Sequence, residues 1–243
     1  MSALPMFTPR PEFRVPVSTG LAAATCALLG LAVLADVFSL GAGRQYYSLW
    51  SGLDEEGFPT APLEEFERVE GLYSLSGVVQ TVTFLVCGIV FIVWFRQMRE
   101  NAQLFAPDAH RKSPGWAVWG WIVPVVFLWF PRRITLDIWT ASELRRDVPD
   151  APRTPVTIVN VWWTVWICDV MLSNLASRYY VRAEEADAIK QAVGLLMVAD
   201  VLDIGAAVMA ILVVRRLTRM QQRRAAWAGS GQDSPLEASG QPA

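Results

Sequence analysis

The sequence predicts an all-α fold: a polytopic membrane protein of four transmembrane helices, with a tryptophan-rich re-entrant or interfacial segment followed by an amphipathic in-plane helix. Three observations carry this. Of the 243 residues, 53% are hydrophobic and 18% charged, against about 25% charged in soluble domains. Four apolar runs are each long enough to cross a hydrocarbon core of roughly 30 Å. The fifth apolar stretch, Trp116 to Phe130, is too short and too broken to match them. As a helix its 15 residues would reach roughly 22 Å, and Pro124 removes a backbone donor in its middle.

Residues 1–16 hold four prolines with Arg10 and Arg14 and are expected to be a basic, cytoplasmic N-terminal arm. The membrane domain is expected over 17–224. Its first span, about 17–40, exceeds the 7–15-residue apolar core of a signal peptide, so it is expected to remain uncleaved. Its face Gly20, Ala23, Ala27, Gly30 is small, which permits close approach by another helix. Residues 41–74 carry seven acids against Arg44 and Arg68 and are expected to form an acidic outer loop, with a short amphipathic helix leading into the second span at about 75–95. That span ends in Trp94, Arg96 and Arg99, an interfacial aromatic followed by basic anchors.

Segment 116–130 is flanked by Arg111 and Lys112 on one side and Arg132 and Arg133 on the other. A dip into the bilayer that returns to the same side fits basic flanks at both ends. Trp116, Trp119, Trp121 and Trp129 would then form an aromatic belt on one leaflet. The helix after it puts Ile134, Ile138 and Ala141 on one stripe, pairs Arg133 with Asp137 at i, i+4, and is placed in the membrane plane with Trp139 at headgroup depth. Further spans are expected at about 156–177 and 192–214, then a run with five arginines and no acid, RRLTRMQQRR, then a disordered Gly/Ser/Gln/Pro/Ala tail over 225–243.

With the N-terminus in the cytoplasm, the cytoplasmic segments of this topology hold 16 of the 21 Lys and Arg, as the positive-inside rule expects. The expectation is therefore a multi-pass protein of the cell membrane with both termini cytoplasmic. The lipid bilayer is its expected partner, a homo-oligomer is left open, and the protein partner is unknown. A net charge of −2 does not attract nucleic acid. Cys26, Cys87 and Cys168 lie in apolar runs and read as small packing residues. With His110 as the single histidine, no Cys/His zinc set is available, and no cofactor is expected. His110 itself, beside two basic residues, reads as solvated at the headgroup layer.

The run FRQMRENAQLF and the block SPGWAVWGWIVPVVFLWFPRRITLDIWTAS resemble the DUF4328 family of uncharacterised bacterial membrane proteins, over roughly 75–210. The positions that carry the likeness are Trp116, Gly120, Trp121, Pro124, Trp129, Pro131, Trp139 and Ser142. The family pattern places an Asn before the Leu-Trp pair, where this chain has Phe127. The resemblance implies a membrane location and a shared fold, and no activity.

Chemistry is sought at depth. Asp36, Asp169, Asp200 and Asp203 all fall within expected spans, and Asp200 and Asp203 share a helix face at i, i+3. Ser173 and Asn174 lie outward of Asp169. A charged Asp at the centre of a membrane helix costs on the order of 3 kcal/mol, so it should face the bundle interior or water and have a partner. Two readings follow. The acids form a cation or proton site opening outward, or they form a satisfied polar cluster that locks the bundle. No phosphate loop, nucleophile set or metal motif supports an enzyme. The reading placed first is a structural or regulatory membrane scaffold without catalytic activity; the alternative is a small cation or proton transporter or channel using the intramembrane aspartates.

Overall fold

The computed structural model describes residues 17–52, 60–107, 112–144, 148, 150, 151 and 153–230. The N-terminal arm 1–16, Asp54, Glu55, Glu56, His110, Arg111, Arg145, Arg146 and the tail from 231 lie outside the described residues. The fold is all-α, with no strand among the described residues. Its helices are α1 (Thr19–Ser51), α2 (Leu63–Phe105), α3 (Trp116–Ile122), α4 (Phe130–Ser142), α5 (Thr157–Tyr180) and α6 (Ala186–Ser230). Four of them, α1, α2, α5 and α6, are long and apolar enough to cross a membrane, which suits a multi-pass membrane protein.

These helices outrun the apolar runs. α2 has 43 residues and α6 has 45, so each reaches about 65 Å, twice the hydrocarbon thickness. The segment read as an outer loop is largely helical, because α1 continues to Ser51 and α2 begins at Leu63. Nothing in Gly41–Ser51 stops α1 until Gly52, while Glu64 and Glu65 complement the positive end of α2. At the other end α6 runs on to Ser230. The expected disorder from Ala225 is corrected for 225–230, where alanines sustain the helix. The start of α1 is set by Ser18, whose hydroxyl accepts from the Leu21 N–H at 3.1 Å.

α1 lies between α2 and α6, and α5 packs on the other flank of α6. The long helices thus form an open arc, α2–α1–α6–α5. Its free edges, α2 and α5, do not pack along their length. The gap is bridged near one end by α3 and α4, a short helical hairpin. Its tip is a γ-turn: Val125 has φ 68° and ψ −46°, and the Val126 N–H reaches the Pro124 carbonyl at 2.7 Å. A positive φ at a β-branched residue is strained, and Pro124 fixes the break where the chain must reverse. The hairpin closes on itself. The Trp116 ring meets the Phe130 ring edge-on at 4.8 Å, and Lys112 Nζ lies 4.6 Å from the centre of the Phe130 ring. Gly120 permits the close approach of α3 to α4, since a Cβ there would touch the Phe130 Cβ at 3.4 Å.

Trp121 is the wedge between the free edges. Its ring centroid is 5.4 Å from Phe91 and 5.6 Å from Phe95 on α2, and 5.5 Å from Trp166 on α5. The Trp163 indole N–H bonds the Leu128 carbonyl at 3.2 Å. The expected tryptophan belt is therefore corrected: Trp119 and Trp129 are exposed, whereas Trp121 serves the core. Trp139 is fully buried within the fold and donates to the Thr154 carbonyl at 3.2 Å; an indole N–H pointing inward finds a carbonyl there. Ile134, Ile138 and Ala141 are buried on one stripe of α4 as their spacing predicts.

The last third of α6 clasps this hairpin. Gln221, fully buried, donates to the Met98 carbonyl at 2.8 Å and to Ser142 Oγ at 3.3 Å, and accepts from Asn101 at 3.1 Å. Arg224 donates to the carbonyls of Ala141 and Phe105. If Gly120 is the contact that seats α3 on α4, Gly120→Ala is tolerated while Gly120→Leu costs on the order of 1–3 kcal/mol by overpacking. Thermal unfolding in detergent reads the difference as a lower Tm for the Leu variant alone.

Candidate functional site

Above the Trp121 wedge the gap between α2 and α5 stays open, floored by α1 and α6. This cavity, of about 380 Å³, is lined by Asp36, Asp169, Asp200 and Asp203 together with Gln80, Ser173 and Asn174. Asp36 comes from α1, Gln80 from α2, Asp169 from α5, and Asp200 and Asp203 from one face of α6. The spacing of these acids in the chain says nothing of their meeting. They meet because the arc brings the middles of four helices to one level.

Gln80 holds the floor together. Its amide donates one N–H to Asp36 Oδ1 and the other to Asp200 Oδ1, each at 2.9 Å. Asp169 accepts from Ser173 Oγ at 3.0 Å, one turn along α5. Asn174 instead turns back to its own helix, donating to the Val170 carbonyl at 2.7 Å, so it lines the cavity without bonding an acid. Asp36 is 3% exposed and Asp169 is 7% exposed. The second carboxylate oxygen of Asp36, Oδ2, is buried without a hydrogen-bond partner among the described residues. No Lys, Arg or His is among the residues lining the cavity. Like charges in a dry pocket cannot all ionise unless a cation enters.

Aromatic layers flank this level along the helices. Toward the acidic ends, Tyr73 stacks on Tyr46 at 4.9 Å and meets Tyr180 edge-on at 6.1 Å. Toward the basic ends lie Phe91, Trp121, Trp162 and Trp166. Among the described residues no group of three or more His, Cys, Asp or Glu is arranged to hold a metal ion.

The five candidate positions from the sequence, Asp36, Asp169, Asn174, Asp200 and Asp203, thus line one cavity. The positions that carry the family likeness do something else: Trp116, Gly120 and Pro131 lie in the α3–α4 contact, Trp121 fills the wedge, and Trp139 and Ser142 tie α4 down. Pro124 makes the tip, and the exposed Trp129 precedes α4. Phe127 sits edge-on to Trp166 at 6.2 Å. Sequence reading missed Gln80. The available signal was a lone amide inside an apolar span, which in a bilayer demands polar partners. Replacing it by Leu strips one donor from each of Asp36 and Asp200. Gln80→Leu is expected to lower stability by about 1–3 kcal/mol, seen as a drop in Tm in detergent, whereas Asn174→Leu leaves the acids' bonds intact and has little effect.

No curated protein and no solved structure matches the chain. The family model described as "Domain of unknown function (DUF4328)" matches residues 62–219, from the start of α2 into the last third of α6, and the chain belongs to that family.

Proposed function

We propose that this membrane protein binds a cation in the cavity between α2 and α5 and passes it through the membrane as a small transporter or channel. One observation supports it above the others: Asp36, Asp169, Asp200 and Asp203 line one cavity with no basic side chain among its lining residues, and Asp36 Oδ2 is buried there without a hydrogen-bond partner. A cluster that served only to lock the bundle would satisfy its acceptors internally, as Gln80 does for Asp36 Oδ1 and Asp200 Oδ1. The acids are the ligands, Gln80 sets the spacing of two of them, and the Trp121 wedge closes the basic end.

The topology proposed with it keeps 116–130 as a re-entrant hairpin, with both chain ends on the cytoplasmic side of the cell membrane. The contact of Trp116 with Phe130 supports the hairpin, since entry and exit lie side by side. So does Arg99, near the end of α2, which bonds the Lys112 carbonyl at 2.8 Å. The excess of Lys and Arg at this end supports the orientation.

A second reading, a structural or regulatory scaffold without catalytic activity, is favoured by the outer face of α1. Gly20 and Gly30 have nothing within 4 Å, and Ala23 and Ala27 are exposed. That small face is free for another transmembrane helix, including one from a second copy of this chain.

Flux separates the two. In liposomes under pH and monovalent-cation gradients, the wild-type protein is expected to conduct, and Asp203→Asn to abolish conduction without loss of folded yield. Absence of flux in both proteins puts the scaffold reading first. The hairpin is tested by single cysteines at Ser113 and Asp150, in a background with Cys26, Cys87 and Cys168 replaced. Both are expected to react with an impermeant thiol reagent from the same face. Labelling from opposite faces overturns the re-entrant topology.

A further inference from the structure

We propose that the groove between the start of α1 and the last third of α6 binds one anionic phospholipid, with its phosphate held by Arg215 and Arg219 and an acyl chain running along Ala27, Leu31 and Leu34. This site is separate from the α2–α5 cavity and does not rest on the cation reading.

The two helices run antiparallel. Gly43 of α1 lies against Met197 of α6, while Thr19 and Gln222 line one groove toward the basic end. That groove, of about 440 Å³, has an apolar wall and a basic one. From α1 come Ala22, Ala23 and Ala27, whose small side chains leave room beside α6. From α6 come Arg215 and Arg219, at i, i+4 and so on one face. Two guanidinium groups at this spacing suit a phosphate, which each can meet with two parallel N–H donors.

Their charge is uncompensated. No acid lines the groove, and neither arginine makes an ion pair among the described residues. Other arginines of the same run are used differently. Arg216 lies 6.0 Å from the centre of the Trp139 ring, and Arg224 donates to the carbonyls of Ala141 and Phe105. The run is therefore divided: part of it serves the fold, and Arg215 and Arg219 serve the groove.

The groove also continues into an apolar seam. Arg215 is the first charge after the apolar part of α6, and Val208, Leu212, Arg215 and Arg219 share a face at i, i+4, i+7 and i+11. Val208 and Leu212 are exposed, as are Leu31 and Leu34, which extend the Ala23–Ala27 face of α1. A free phosphate would use the basic mouth alone. A phospholipid uses mouth and seam together, and basic pockets between spanning helices recognise anionic headgroups in this way. Phosphatidylcholine brings its own cation toward the arginines, so the site favours a headgroup with net negative charge.

The experiment is native mass spectrometry of the purified full-length protein in detergent, titrated with dioleoyl-phosphatidylglycerol or dioleoyl-phosphatidylcholine. The wild-type protein is expected to retain one phosphatidylglycerol more tightly than phosphatidylcholine, and inorganic phosphate is expected not to displace it. Arg215→Gln and Arg219→Gln are each expected to weaken phosphatidylglycerol binding by about 5-fold, the worth of one basic contact with an anionic lipid. Ala27→Leu fills the groove without changing its charge and is expected to lower retention of both lipids. Arg223→Gln removes the same charge from an exposed arginine outside the groove and is expected to bind as wild type. Elution profile and Tm are recorded for each variant, and if one groove arginine variant does not fold, the other carries the test. Equal retention of the two lipids by the wild type, or an equal loss in Arg223→Gln, makes the attraction diffuse and overturns the site. Displacement by inorganic phosphate, or wild-type binding by Ala27→Leu, overturns the lipid assignment. A dimer that takes up no lipid puts a second copy in the seam and overturns the proposal as well.

Discussion

A carboxylate buried among apolar helices must find a donor or a counter-charge, and the middle of this bundle is arranged around that demand. Gln80 meets part of it with one amide and two acids on different helices. The bond from α2 to α1 and the bond from α2 to α6 pass through the same nitrogen. In a bilayer, where apolar burial gives little drive for helices to associate, such bonds and close packing hold the spans in register. The acids therefore tie α2 to the α1–α6 pair at mid-height while leaving an acceptor over. The same arrangement explains both cohesion and the opening.

The second constraint is the broken hairpin. Irregular backbone leaves polar groups that need partners wherever water does not reach them. α3, the γ-turn at Val125 and the start of α4 meet this by leaning on α2 and α5, with Trp121 between the aromatic side chains of both. The hairpin thus closes one end of the gap and leaves the other end as the cavity. Its anchors are polar and lie at the basic end, where Gln221 and Arg224 of α6 bond α2 and α4. The family-like positions cluster here, around the hairpin, while the aspartates line the cavity beyond it. The match to the family spans both regions.

Much of the candidate site was legible before the fold. Asp36, Asp169, Asp200 and Asp203 stand out in apolar runs because ionisable groups are costly there, and all four line the cavity. Asn174 was legible as polar but bonds its own backbone, since an amide at that height on α5 reaches the carbonyl one turn back more easily than an acid. Gln80 was missed because a neutral amide leaves a smaller mark on hydropathy than a charge. Gln221 and Arg224 were hidden for another reason. They sit in a run of arginines whose composition suggests a solvated end, and the packing of α2 and α4 against α6 buries them.

The division between sequence and tertiary structure follows from what each quantity depends on. Helical class, four helices long and apolar enough to span, the break at Pro124 and the place of the acids within apolar runs depend on local composition and on the thickness of a bilayer, so the sequence by itself determined them. Helix length beyond the apolar runs, the partial burial of Trp121 and the full burial of Trp139, and the open edge between α2 and α5 depend on which helix lies beside which. Only the tertiary structure decided these, because neighbours far apart in the chain supply the partner for each indole, amide and carboxylate.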